Sequence, residues 1–177
     1  MQADSGLHIP DFRAAERTYQ LLDEAVAVAR PESEGGRVIV QTRFPAHHAV
    51  QAMLSADPQR FYDEELAARR LLNYPPACVL AALSVSGKDR QEVETAALRW
   101  RLCLEQLVGT EAPPSMLGPV PAMGKRPKGL HLFQTLVKWT DHDGLCRLIQ
   151  QSVTAMEQEY RKKRIKFVVD IDPVELG

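Results

Sequence analysis

The sequence predicts an α/β segment followed by a small α+β domain. Three observations carry that expectation. Tyr74-Pro75-Pro76 interrupts the chain, because two consecutive prolines cannot continue a helix and force an extended path. After it, the spacing of apolar residues spells out strand, helix, strand, strand, helix, strand, the ferredoxin-like order in which two helices pack on one face of an antiparallel sheet. Before it, about seventy residues offer one convincing strand, too little sheet for an independent α/β domain, so they read as the end of something larger. The expected boundaries are therefore 1–74 and 75–177.

Element by element, Phe12, Ala15, Tyr19, Leu22 and Val26 recur at three- and four-residue spacing, which predicts a helix from Asp11 to Arg30 opened by Pro10 and Asp11. Pro31-Glu32-Ser33-Glu34-Gly35-Gly36 stops it. Arg37 to Thr42 is short, β-branched and bounded by Gly36 and Pro45, the pattern of a buried strand. Helices are expected at His47 to Ser55 and Pro58 to Leu72. In the second part Cys78 to Val85 reads as a strand, Arg90 to Leu107 as an amphipathic helix and Gly109 to Pro114 as a connector. Met116 to Val120 is a short strand, Leu130 to Trp139 a longer one, Asp143 to Tyr160 a helix and Ile165 to Ile171 the last strand.

Twenty-two basic against twenty-three acidic side chains leave a formal charge of -1, so any nucleic-acid interface must come from local charge. No apolar run approaches the roughly 18 residues of a membrane span, and no basic segment followed by an apolar one opens the chain; a cytoplasmic protein without membrane partners is expected. Cys78, Cys103 and Cys146 are isolated, which predicts neither disulfides nor a zinc site. His47-His48 has no carboxylate or cysteine at ligand spacing and reads as a surface helix start. Asp170 and Asp172 would share one face of a regular strand, where they could hold a cation or, before Pro173, cap a turn. Trp100 and Trp139 sit in periodic apolar patterns and read as core more than as stacking platforms.

Local charge is more informative. From Ser115 to Val169 ten Lys and Arg face four Asp and Glu, a surplus of six. Lys125, Arg126 and Lys128 fall in an expected exposed loop able to follow a phosphate backbone. Arg147 lies within the expected last helix. Arg161, Lys162, Lys163 and Arg164 sit where that helix ends; they would either contact DNA or complement the helix's negative C-terminal end.

Four stretches together resemble a known family. They are Ala3-Asp4, Leu7 and Pro10 to Arg17; Gly36 to Thr42; Phe61-Tyr62, Glu64-Glu65-Leu66, Arg69-Arg70 and Tyr74-Pro75-Pro76; and Leu117 to Ala122 with Asp170 to Pro173. In order and spacing they are similar to the C-terminal part of primosomal protein N-prime, the superfamily 2 helicase family that restarts stalled bacterial replication forks. The resemblance implies that 1–74 is part of a second RecA-like motor lobe and that 75–177 is a C-terminal domain that binds DNA and helps contact single-stranded DNA-binding protein.

The departures bear on chemistry. The family's glutamine and arginine motif, whose arginines face ATP phosphates, corresponds here to Glu24 through Pro31: its glutamine is Glu24, and its arginine positions hold Val28 and Pro31, with Arg30 one position away. Neither valine nor proline can stabilise a phosphoryl-transfer transition state. The chain also holds no G-x-x-x-x-G-K-[ST] loop to cradle phosphates. After the basic loop, Gly129 to Gln134 keeps an aromatic, Phe133, but has leucine where the family carries an arginine. The expectation is a chain with no catalysis of its own and no cofactor or metal. It would bind forked or single-stranded DNA and dock on single-stranded DNA-binding protein and other primosome proteins. The alternative is a fragment of an ATP-dependent helicase that needs the missing motor lobe to hydrolyse ATP.

Overall fold

A computed structural model of the chain describes residues 4–9, 11–108, 113–122 and 129–174. The chain divides into two compact units, Met1–Leu72 and Asn73–Gly177.

The first unit is helical. It contains α1 (Asp4–Leu7), α2 (Ala14–Ala27), a single 3-10 turn (Glu32–Glu34), α3 (His48–Leu54) and α4 (Pro58–Leu71). Tyr19 of α2 stacks on Phe61 of α4 with ring centroids 4.1 Å apart, and Ala49 and Ala52 of α3 close that small core. Pro58 at the first turn of α4 has no N–H to leave unsatisfied, and the Asp57 carboxylate before it accepts from Arg60 N–H at 3.1 Å. The expected buried strand from Arg37 to Thr42 is a correction. Residues 37–40 are irregular, Gln41 forms an isolated bridge, and Ile39 is 78% exposed. A β-branched run becomes a buried strand only when neighbouring strands take up its backbone groups and a second layer covers it. The described residues of this unit supply no strand at all. Its expected α/β character is therefore not what its described elements have.

The second unit is α+β. It runs β1 (Val79–Gly87), α5 (Arg90–Leu107), β2 (Ser115–Pro121), β3 (His131–Trp139), α6 (His142–Glu159) and β4 (Lys166–Ile171). The four strands form one antiparallel sheet in the order β2-β3-β1-β4. Each helix starts on an aspartate whose carboxylate accepts the N–H three residues on: Asp89 from Glu92 and Asp141 from Gly144, both at 2.9 Å. Such caps contribute about 1 kcal/mol each. The core lies between the helices and one sheet face, built from Ala81, Leu83 and Val85 of β1, Trp100 and Leu104 of α5, Phe133 and Val137 of β3, and Leu145, Ile149 and Met156 of α6.

Edge strand β2 carries Pro119 and Pro121, tolerated because an edge strand leaves one row of N–H groups unpaired. Its register shifts between Leu117 and Val120 at Gly118, which adopts φ +100 and lies so close to the Gln134 carbonyl that a Cβ would stand 2.6 Å from it. The Gly118 carbonyl accepts from the Arg101 guanidinium, tying that bulge to α5.

The register fixes two ends of the sheet. Gly87 pairs with His131 and Ser86 with Lys166, so the end of β1, the flanks of the β2–β3 connection and the start of β4 share one end, here called the hairpin end. Val79, Ser115, Trp139 and Ile171 mark the other.

Candidate nucleic-acid interface

Arg161, Lys162 and Arg164 occupy the turn between α6 and β4, at the hairpin end, and all three are exposed. Among the described residues none of them has an ion-pair partner. Lys163 differs. Its ammonium reaches Glu92 of α5 at 3.2 Å and lies 5.6 Å from the Tyr160 ring centroid, so it fastens the turn to the helical layer. The turn follows the C-terminal cap Tyr160, which leaves its cations free to complement the helix end as well.

Topology adds two cations that the sequence count from Ser115 onward left out. Lys88 and Arg90 flank the cap Asp89 in the turn from β1 to α5, exposed and without an ion-pair partner among the described residues. Their signal was present in the sequence, but only the pairing of β1 with β3 and β4 brings position 88 to the same sheet end as position 164. Gly87 makes that approach possible: a Cβ there would stand 3.2 Å from the Arg164 carbonyl.

The remaining expected cations separate. Lys125, Arg126 and Lys128 lie outside the described residues; the strands that flank them, β2 and β3, end and begin at the hairpin end. Strands β3 and β4 stand two positions apart in the sheet, about 10 Å. Arg147 sits in the second turn of α6, roughly 20 Å along that helix from Arg161, towards the Trp139 end. It does not join the cluster. Lys138, counted in the local surplus, is buried on β3 with its ammonium 3.5 Å from the Tyr74 ring centroid, and is committed there.

The aromatic candidates are interior. Trp100 is 2% exposed and its indole N–H donates to Ser152 Oγ at 2.9 Å. Phe133 is buried in the same core, and Trp139 is half-buried against it. None is placed to stack on a base. Asp170 and Asp172 do not share a strand face: β4 ends at Ile171, and Asp172 turns to φ +50 so that its carboxylate accepts from Leu80 N–H at 3.2 Å. It closes the ladder with β1, the capping role.

His47 and His48 begin α3 but are not a bare surface pair. His47 Nδ1 accepts from Ala49 N–H at 3.2 Å as the helix cap, and His48 Nε2 meets Glu65 Oε2 at 2.9 Å. Glu65, brought in by α4, also receives the Arg69 guanidinium at 2.8 Å, and Arg69 reaches Glu16 of α2 at 2.7 Å. A contact seventeen residues apart is invisible to a search for short ligand spacings. Burial pushes the Glu65 carboxyl up, but hydrogen bonds from His48 and Arg69 and the Arg69 charge outweigh it, so the group titrates below its ordinary range. Burial, with the neighbouring His48, pushes His47 down. Burial also raises the Cys78 and Cys103 thiols, which favours their protonated form. Positions 24 and 28 lie at the end of α2 with both side chains exposed, and Arg30 and Pro31 follow in the turn beyond it.

A family model described as primosomal protein N C-terminal domain matches residues 70–174. The chain belongs to that family. Among its curated relatives are the replication restart protein PriA of Bacillus subtilis (strain 168), 31% identical over 98% of this chain, and that of Treponema pallidum (strain Nichols), 34% identical over 97%. The replication restart protein PriA of Haemophilus influenzae aligns over the full chain at 26% identity. The chain spans 21%, 25% and 24% of the length of these three relatives, a fifth to a quarter of each. The matched 70–174 segment includes the whole β-α-β-β-α-β unit and with it Lys88, Arg90 and the Arg161–Arg164 turn.

Proposed function

We propose that this chain is the DNA- and partner-binding portion of a replication-restart protein, and that it holds the phosphates of forked or single-stranded DNA at the hairpin end of its sheet. Residues 1–74 are the tail of a second RecA-like motor lobe in this reading, and 75–177 the C-terminal binding domain. The observation that carries it is the convergence of Arg161, Lys162, Arg164, Lys88 and Arg90, exposed and without an ion-pair partner among the described residues, from two turns that the sheet register brings to one end. Lys125, Arg126 and Lys128, outside the described residues, are assigned to the same phosphate-binding role by their charge. Membership of the family supports the DNA setting, since the relatives are named replication restart proteins. Single-stranded DNA-binding protein and other primosome proteins are the partners this assignment brings.

The contact is electrostatic. Each phosphate neutralised releases condensed counterions, and log affinity falls with log salt by about 0.9 per contact on duplex DNA and about 0.7 on single strands. The chain is assigned no ATP hydrolysis of its own, because Val28 and Pro31 cannot supply the guanidinium groups that phosphoryl transfer uses. Fluorescence anisotropy with forked and single-stranded oligonucleotides over a salt series tests the assignment. It expects affinity with a steep salt slope; binding no tighter than that of a protein of equal net charge would refute it.

A further inference from the structure

Strand β4 is the edge of the sheet opposite the proline-bearing β2, and among the described residues no further strand pairs with its outer side. Asp172 N–H donates to the Leu80 carbonyl at 2.7 Å, so by the two-residue period of a strand the backbone groups of Lys166, Val168 and Asp170 turn towards β1. Those of Phe167, Val169 and Ile171 line the outer edge. No bulge breaks the register of β4 against β1, and no proline interrupts it.

The side chains of this strand are complementary to themselves when it is read backwards. On the open sheet face stand Lys166, Val168 and Asp170, all exposed, with Val168 at 40%. Lys166 and Asp170 are four residues apart on one strand, roughly 13 Å, and neither side chain has an ion-pair or hydrogen-bond partner among the described residues. An antiparallel copy centred on Val168 puts Lys166 opposite Asp170 of the copy, twice by symmetry, with the two Val168 side chains touching on the axis. On the helix-facing side the same register sets Phe167 opposite Val169 and Ile165 opposite Ile171, apolar against apolar. It also places the outward backbone groups of Phe167 and Val169 in a hydrogen-bonded pair. The two Lys–Asp positions become non-hydrogen-bonded pairs, where Cα atoms stand about 4.5 Å apart and side chains approach most closely.

The geometry points to an isologous dimer in which β4 of two copies pair antiparallel about Val168, joining two four-stranded sheets into one of eight strands. The occupant of the edge is a second copy of this chain, because the charge pattern Lys-x-Val-x-Asp is satisfied by its own reverse. The two proposed DNA-binding ends then face opposite ends of the joined sheet, and neither is covered.

Sedimentation equilibrium of the chain without DNA tests this. The wild type is expected to show a concentration-dependent dimer. Lys166→Asp alone, and Asp170→Lys alone, set like charges opposite each other twice, and each is expected to weaken the dimer by at least about tenfold. Mixing the two variants restores opposite charges at both pairs and is expected to give a heterodimer at wild-type strength, with circular dichroism confirming that each variant is folded. A wild type monomeric at every concentration, or a dimer indifferent to both substitutions, or a mixture no tighter than either variant alone, would overturn the proposal.

Discussion

Gly87, the last residue of β1, lies against the backbone of Arg164: a Cβ at position 87 would stand 3.2 Å from the Arg164 carbonyl oxygen and 2.9 Å from Val93 Cγ2. This contact seats the basic turn on the end of the sheet. Gly87→Ala should therefore overpack the site and destabilise the second unit by about 1–3 kcal/mol. Urea denaturation followed by tryptophan fluorescence measures it, because Trp100 and Trp139 both report on that unit. An unchanged midpoint would mean that the turn yields freely.

Trp100 belongs to the core and not to a DNA platform. Trp100→Phe removes the indole N–H that Ser152 Oγ accepts and leaves a void between α5 and α6. The expected loss is about 1–3 kcal/mol of stability, with DNA affinity unchanged at temperatures where the variant is folded. A drop in affinity for single strands without a drop in melting temperature would assign Trp100 to stacking.

Acid should loosen the first unit before the second. The folded-state value of Glu65 is depressed, so its contribution is fully present above the ordinary carboxylate range near 4.5 and is lost as pH falls through the lower folded value. The His47 value is also depressed, and its Nδ1 must stay unprotonated to accept from Ala49 N–H. That cap therefore contributes fully above about 6.5, the unperturbed value, and fades as pH falls below it. Both groups bind more protons unfolded than folded, so stability falls with acid. His47→Asp keeps a cap acceptor without an imidazole and should flatten the dependence between neutral pH and pH about 5. Thermal melts across that range check it.

The second unit was legible in the sequence because its signals are local. Periodicities of two and of three to four give strands and helices in the observed order, and α5 starts and ends where its apolar spacing does. The segment 37–42 was misread because its β-branched composition says what the residues favour, not whether neighbouring strands exist to bury them. The site was legible only in part. Arg161 to Arg164 are contiguous, so their local charge is read directly from the sequence as a candidate. Linear proximity also drew in Arg147, which a helix length carries away, and Lys138, which the Tyr74 ring holds. It omitted Lys88 and Arg90, whose closeness to position 164 arises only from strand pairing across a separation of more than seventy residues.

The central claim is that the hairpin-end cations neutralise DNA phosphates. The most direct test is the salt slope of forked-DNA affinity for Arg161→Ala/Lys162→Ala/Arg164→Ala beside that of Arg147→Ala. Loss of two to three phosphate contacts should lower the magnitude of the slope by about 2–3 in the triple variant and leave it unchanged in Arg147→Ala. Equal slopes for the triple variant and the wild type would contradict the account.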